Sequence, residues 1–366
     1  MKKKIALLLY RYFPYGGLQK DFMGVVKELL IRGHELRVYV RTWEGPIPNN
    51  LEVIQLGEKG FSNYSKNKNY SKSVKNFYEE FSPDIVFGFN KISGLDLYFA
   101  ADTCFVNQSQ YKHPLQKYTR RFRQSIHYER EVFSRSSATK ILLLNDNQRN
   151  DFLKNYSTQP ERMTIIPPGI DGNWNNNKSI NIKEILGIPA EDKIMLFVGS
   201  DFYRKGLDRA IMGLSYLLKR NKLATLIVIG DDRKEPYKKI LETDSLVNKV
   251  HFLGPRDDVA SFMKSSDLLI HPAREEAAGN IIIEAIVSGL PSIVTEAVGF
   301  STEVLKYESG EVLRGSFNQE KFNSKLDEVL SDARLSSIKN SISELSDCEY
   351  FFSRFSYIAD YIETQF

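Results

Sequence analysis

Ile194-Met195-Leu196-Phe197-Val198-Gly199-Ser200-Asp201-Phe202-Tyr203-Arg204-Lys205-Gly206-Leu207 is the stretch from which the fold follows. Five apolar residues in a row, closed by a glycine loop, read as a strand buried on both faces. Beyond Gly206, apolar residues recur at helical spacing over Leu207–Leu218. Strand, glycine loop and helix in that order are the repeating unit of a parallel α/β sheet. Downstream, Thr225–Ile229, Val250–Leu253, Leu268–Ile270 and Ser292–Val294 read as further strands. Val259–Lys264 and Gly279–Val287 read as helices among them.

The same alternation fills the first half. Strands are expected at Ile5–Tyr10, Leu36–Val40, Leu51–Leu56, Asp84–Phe89, Leu95–Ala100, Lys140–Leu144 and Met163–Ile166. The clearest helices are Leu18–Ile31 and Leu115–Phe133. Pro167-Pro168-Gly169 stops the pattern, because two prolines bar both helix and central strand. The expectation is therefore two doubly wound domains, 1–168 and 169–349, facing across a cleft. Residues 350–366 are expected to form a helix packed on the first domain. The chain's 366 residues suit two cores.

Composition narrows the function classes. A net charge of +4 suits an anionic partner without requiring one. Two cysteines, Cys104 and Cys348, match neither a disulfide framework nor a metal-ligand spacing. The apolar run after Lys4 is shorter than the roughly 7–15 residues of a secretory core. No stretch approaches the ~18 apolar residues of a membrane span. A cytoplasmic location is expected, with docking on a membrane from that side as the variant.

Three loops carry candidate chemistry. Gly16-Gly17 follows the first strand and precedes a helix, so its backbone N–H groups and the helix dipole suit a phosphate. A tight turn without a ligand is the competing reading. The G-x-G-x-x-G fingerprint of nicotinamide enzymes is absent. Arg204-Lys205 places a planar fork of donors beside a mobile point charge, a combination suited to a diphosphate. Its alternative is a solvated turn. The third loop, Glu275-Glu276-Ala277-Ala278-Gly279-Asn280-Ile281-Ile282-Ile283-Glu284, sets two carboxylates about a helix N-terminus. Small residues at Ala277, Ala278 and Gly279 leave room for a ligand, and Glu276 and Glu284 can accept bonds from its hydroxyls. A cap flanked by surface charges is the plainer reading.

These residues resemble the family 4 retaining glycosyltransferases. Glu276 and Glu284 match that family's E-x7-E signature, Arg204-Lys205 its cation pair, and Gly16-Gly17 its N-domain glycine loop. Tyr12-Phe13-Pro14-Tyr15-Gly16-Gly17, Gly88-Phe89-Asn90-Lys91, Tyr98-Phe99-Ala100-Ala101-Asp102 and His271-Pro272-Ala273 resemble the glucosyltransferases of the lipopolysaccharide inner core. The resemblance implies a GT-B fold of two Rossmann-like domains. It also implies transfer of glucose from UDP-glucose to a heptose of that core, at the cytoplasmic face of the inner membrane. Glu284 would hold the ribose hydroxyls, and Glu276 with the N–H groups of Ala277 to Gly279 the transferred sugar. Arg204, Lys205 and the Gly17 backbone would neutralise the diphosphate. Asp21 would stand in the cleft, and Asp102 would stand where many members place a histidine near the anomeric centre. Asp102 as a buried helix cap is the alternative. No D-x-D motif is present; Asp231-Asp232 and Asp257-Asp258 read as turn and cap residues. No metal and no cofactor is expected, the UDP-sugar being a co-substrate. Replacing Glu276 by Ala is expected to nearly abolish transfer and leave UDP affinity mostly intact.

Segment 112–135 is basic: Lys112, Lys117, Arg120, Arg121, Arg123, Arg130 and Arg135 face only Glu129 and Glu131. Leu115, Tyr118, Phe122 and Ile126 recur at helical spacing. Such a helix suits an anionic membrane surface or a phosphorylated acceptor; an ordinary surface helix is the alternative. No nucleic-acid motif accompanies it. Acceptor choice is expected in loops near Asn90–Gly94 and Phe105–Lys112, with Asn63–Asn69 as a loop that moves. Three other readings remain: a same-fold transferase with another sugar donor or acceptor, a sugar-nucleotide epimerase, and a non-catalytic sensor.

Overall fold

A computed structural model describes residues 2–14, 16–110, 118–243 and 246–366. The chain forms two compact units, Met1–Gly169 with Ser353–Phe366, and Ile170–Phe352.

The first unit opens with β1 (Lys4–Leu8), β2 (Arg11–Tyr12) and α1 (Gly17–Ile31). It continues through β3 (Glu35–Val40), β4 (Thr42–Trp43), β5 (Glu52–Gln55), α2 (Asn63–Phe81), β6 (Ile85–Gly88) and β7 (Leu97–Ala100). α3 (Phe105–Gln110), α4 (Arg120–Phe133), β8 (Lys140–Leu143), α5 (Asp146–Tyr156) and β9 (Met163–Ile165) follow. Seven strands pair in the order β5-β3-β1-β6-β7-β8-β9, every neighbour parallel. The order reverses between β1 and β6, the position at which doubly wound sheets offer a crevice at their strand ends.

The second unit contains α6 (Ile182–Leu186), β10 (Lys193–Val198), α7 (Phe202–Lys205), α8 (Leu207–Lys219), β11 (Ala224–Ile229), α9 (Lys238–Thr243) and β12 (Val250–Gly254). It closes with α10 (Val259–Ser265), β13 (Leu268–His271), α11 (Asn280–Val287), β14 (Ser292–Thr295), α12 (Ser301–Lys306), β15 (Gly310–Leu313), α13 (Gln319–Val329) and α14 (Asp332–Ile342). Its six parallel strands run β12-β11-β10-β13-β14-β15 and reverse between β10 and β13. Alternate residues feed two cores. Met195, Phe197, Leu226 and Val228 pack with α8, α13 and α14 residues on one face. Ile194, Leu196, Ile227 and Ile229 pack with α11 residues on the other.

Helix α15 (Arg354–Gln365) returns to the first unit and packs along α1. Arg354 is fully buried there: its Nη1 donates to Asp21 Oδ1 at 2.7 Å and its Nε to the Pro167 carbonyl at 3.0 Å. Ion pairs of Arg32 with Asp360 and Glu363, at 2.5 and 2.9 Å, tie the rim of the same contact.

Three sequence expectations change. Asn63–Asn69 is the first part of α2, whose buried Tyr70, Val74, Tyr78 and Phe81 supply the apolar stripe that its polar start conceals. Phe105–Gln110 is helical, while 111 and 112 lie outside the described residues. The predicted helix at Leu115–Phe133 is described from Arg120, with Thr119 capping it; Lys112, Leu115 and Lys117 lie outside the described residues. Its core-facing residues are Glu129, Val132 and Phe133, whereas Tyr118, expected on the apolar face, is exposed.

Candidate functional site

In the second unit the loops after β10 and β13, the two strands flanking the reversal, are built for close approach. Gly199 leaves β10 at φ +138° and Asp201 turns left-handed at φ +60°. Asp201 Oδ1 then accepts from the Arg204 N–H at 3.4 Å, capping the single turn of α7. Gly206, at φ +83°, ends α7 and starts α8. A Cβ at Gly206 would stand 2.2 Å from the Pro272 carbonyl oxygen, so only glycine lets the two loops touch.

That contact is clamped. Arg274 makes two parallel bonds to Asp208, at 2.8 and 2.7 Å, and donates through Nη1 to the Tyr203 carbonyl at 2.6 Å. The Arg274 N–H donates to the Arg204 carbonyl at 2.7 Å. Glu276 pairs with the segment before α12: its N–H donates to Ala297 O at 3.1 Å, and its carbonyl accepts from Gly299 N at 3.0 Å. Gly279, at φ +79°, starts α11, and a Cβ there would meet Val298 Cγ1 at 2.4 Å. The small residues Ala277, Ala278 and Gly279 thus sit against the segment before α12, where the Phe300 N–H donates to the Ala278 carbonyl at 2.8 Å, and lead into the N-terminal end of α11. Glu284 lies half-buried in the second turn of α11.

The polar side chains of these loops converge. Glu276 Oε2 lies 2.7 Å from Lys205 Nζ and 3.1 Å from Arg204 Nη1. Arg204 also holds Asp201 Oδ2 at 2.9 Å and the Glu275 carbonyl at 2.8 Å. Burial alone would raise the Glu276 carboxyl, but the adjacent cations outweigh it and hold it below the ordinary glutamate range. Arg204, despite partial burial, is held above its ordinary value by Glu276 and Asp201.

His271, at the end of β13, completes the group. It is fully buried, 3.9 Å from Glu276 Oε2, and neither ring nitrogen has a hydrogen-bond partner. Burial, then the charges of Lys205 and Arg204, pull it down to about 3. Lys205 stands foremost among the neighbours that hold the Glu276 carboxyl down. Sequence reading named His271 only within the His271-Pro272-Ala273 stretch that carries the resemblance, and gave it no role. Its signal was a histidine in a run of buried apolar residues beside Pro272.

In the first unit, Gly16 and Gly17 open α1, with Gly16 at the cap position and no side-chain cap. A Cβ on Gly17 would touch nothing within 4 Å, so internal packing does not demand glycine there. Tyr15 lies outside the described residues. Asp21, expected beside a ligand, is buried against Arg354. Asp102 is exposed just beyond β7, and its carbonyl accepts from Gln148 Nε2 at 3.1 Å; a buried cap it is not. Asp232 accepts from the Phe202 N–H at 2.7 Å and Asp258 pairs with Arg256. Both are engaged in local structure. Among the described residues no group of three or more His, Cys, Asp or Glu side chains is arranged to hold a metal ion.

A strand-end cluster of two cations and a bridging carboxylate, followed by a helix N-terminus, has the chemistry to bind a diphosphate joined to a hydroxylated ring. Comparison with known proteins agrees. Residues 178–343 match the family described as glycosyl transferases group 1, and residues 15–174 match glycosyltransferase family 4. The chain is 40% identical over 340 residues to the lipopolysaccharide glucosyltransferase WaaG of Escherichia coli K12, covering 90% of each chain. It is similar to a crystal structure of WaaG with a TM-score of 0.90 and 38% identity, covering 98% of this chain and 100% of that one. Sucrose-phosphate synthase from Thermosynechococcus elongatus shares the fold at a TM-score of 0.77 and 14% identity, covering 100% of both. Anabaena HepE, solved with UDP and glucose, shares it at 0.75 and 17%, covering 99% of this chain and 100% of that one.

Proposed function

The chain belongs to the group 1, family 4 glycosyltransferases, and from that premise we propose that it transfers glucose from UDP-glucose to a heptose of the lipopolysaccharide inner core, with retention of configuration. The observation that carries the donor half is the convergence of Arg204, Lys205 and Glu276 at the ends of β10 and β13. The likeness to WaaG over nearly the whole chain supports the acceptor half.

Arg204 and Lys205 take the diphosphate, Glu276 and the N–H groups of Ala277 to Gly279 the hexose, and Glu284 the ribose. In the first unit, Gly16 and Gly17 offer backbone N–H groups to a phosphate and Asp102 lies near the reacting carbon. Charge builds on the departing phosphate as the sugar becomes cationic at its anomeric carbon. Preorganised cations lower that barrier without reorganising. The departing phosphate oxygen accepts the proton of the attacking hydroxyl on the same face, so the bond breaks and forms on one side. The two cations supply the positive charge, and turnover is expected to be unaffected by a metal chelator.

No helix among the described residues is long and apolar enough to cross a membrane. Arg120, Arg121, Arg123 and Arg130 are exposed on α4. These support a peripheral place on the cytoplasmic face of the inner membrane, tested by flotation with anionic vesicles at rising salt. The transfer itself is tested by offering UDP-glucose, UDP-galactose and UDP-N-acetylglucosamine with truncated lipopolysaccharide cores and reading the mass shift. One hexose added from UDP-glucose is the expected result. Transfer from another UDP-sugar alone would reassign the donor, and no transfer from any would overturn the proposal.

A further inference from the structure

The first unit also carries a polar hollow whose lining includes neither Gly16, Gly17 nor Asp102. It is a cavity of about 400 Å³ lined by side chains of α2 and α4 together with Ser93. That size lies in the lower part of the ~300–1,000 Å³ range of small-ligand pockets. Helix α2 presents Tyr64, Lys68, Ser71 and Lys72, and α4 presents Arg120, Arg123, Gln124, His127 and Tyr128. Both sets recur at three- and four-residue spacing, so each is one face of its helix. Four permanent cations line the hollow, and no carboxylate does.

The other two lysines of α2 are neutralised, as is Lys91 near α4. On α2, Lys66 pairs with Glu58 at 2.5 Å and Lys75 with Glu79 at 3.6 Å. Near α4, Lys91 pairs with Glu129 at 2.5 Å. Glu129 is wholly buried and also accepts from Tyr156 Oη at 2.6 Å, so it offers no charge to the surface. Lys68, Lys72, Arg120 and Arg123, in contrast, have no carboxylate within ion-pair distance among the described residues. Lys68 and Lys72 repel each other across one helical turn. The Gln124 Nε2 atom is buried and has no hydrogen-bond acceptor. A surface that gathers like charges and an orphaned donor around one concavity is electrostatically incomplete without an anion.

We propose that this hollow binds a phosphomonoester on a sugar. The four cations and Gln124 Nε2 donate to the phosphate oxygens, and the hydroxyls of Ser71, Ser93, Tyr64 and Tyr128 meet the ring. The hollow is built wholly from first-unit residues, and the proposal does not depend on the identity of the sugar transferred. The phosphate can belong to a soluble sugar phosphate or to a phosphorylated lipid-linked sugar.

His127, on the lip of the hollow, provides a local readout. The chain has five histidines, so its imidazole signals are few, and H127Q assigns the one of interest. Glucose 6-phosphate should move the His127 ring signals saturably at constant ionic strength, and unphosphorylated glucose should not. Lys72→Gln with Arg123→Gln, both exposed, should weaken that binding at least about 10-fold and leave the melting temperature unchanged. To separate the sources, phosphatidylcholine vesicles carrying phosphorylated lipid A are added. If the lipid-borne sugar is a ligand, the same double variant loses vesicle binding and glucose 6-phosphate competes with it. If it is not, vesicle binding is indifferent to both while the response to glucose 6-phosphate persists. The proposal is overturned if glucose 6-phosphate leaves His127 unmoved, or if the double variant responds as the natural protein does.

Discussion

Replacing Glu276 by glutamine should tighten the binding of UDP while stopping transfer. Glu276 occupies both cations proposed to take the diphosphate, at 2.7 Å from Lys205 and 3.1 Å from Arg204. With an effective dielectric of ~20, the gross attraction to Lys205 is about 6 kcal/mol. Desolvation of two largely buried groups cancels most of it. A charged hydrogen bond retains a net value of about 1.5–3 kcal/mol. Arg204, over a third exposed, adds under about 1 kcal/mol after screening. The ammonium has three donors and keeps part of its bond when a phosphate arrives. The lower end of the range therefore applies, and roughly 1.4 kcal/mol is tenfold in affinity. Calorimetry should thus find UDP bound about 10-fold more tightly by Glu276→Gln. Turnover should fall by about 10²–10³, the range for losing one group that stabilises the transition state. From sequence alone, Glu276→Ala was expected to leave UDP affinity mostly intact; the observed pairing leads instead to tighter UDP binding once the carboxylate charge is removed. UDP bound equally or more weakly by the variant would refute the counter-ion argument.

Other perturbations separate architecture from chemistry. Asp21→Asn leaves the buried Arg354 charge uncompensated, at about 3 kcal/mol, or roughly 6–12 °C in the melting temperature of a unit of this size. UDP affinity should be unchanged, and a weaker UDP affinity without a lower melting temperature would return Asp21 to the ligand. Gly206→Ala forces a side chain into left-handed backbone, at about 1–2 kcal/mol, and against the Pro272 carbonyl. Transfer should fall more steeply than stability, and full activity in this variant would contradict the loop contact. His271, pulled down to about 3, should show ring signals that do not titrate between pH 5 and 8, and a midpoint near 6.5 would mean the ring is hydrated. Glu276 has a folded pKa below its unfolded value, so its stabilising contribution is present above about pH 4.3 and is lost as pH falls through the folded value. The natural protein should lose more stability than Glu276→Gln in that acid window, and parallel denaturation curves would contradict this.

The two α/β sheets were legible because their central strands are short, unbroken apolar runs closed by glycine and proline, the pattern of a sheet covered on both faces. β15 escaped because three of its four residues are half-exposed, as an edge strand allows. α2 escaped because Asn, Ser and Lys dominate its first turns, although Tyr70, Val74, Tyr78 and Phe81 already carried a helical period. In the site, the acid–cation set was visible because its members sit in two short loops. What those residues touch was not. Arg204 and Glu276 are 72 positions apart and Asp21 and Arg354 are 333 apart, so only the folded chain shows one pair as part of a cation–carboxylate cluster at the strand ends and the other as a buried ion pair.

Titration of the natural protein with UDP, followed by Lys205→Gln, tests the centre of the account most directly. One UDP per chain is predicted, with affinity lowered at least about 10-fold by the substitution, as expected for removal of a charged hydrogen bond. Absence of binding heat with the natural protein, or equal affinity in Lys205→Gln, would contradict it.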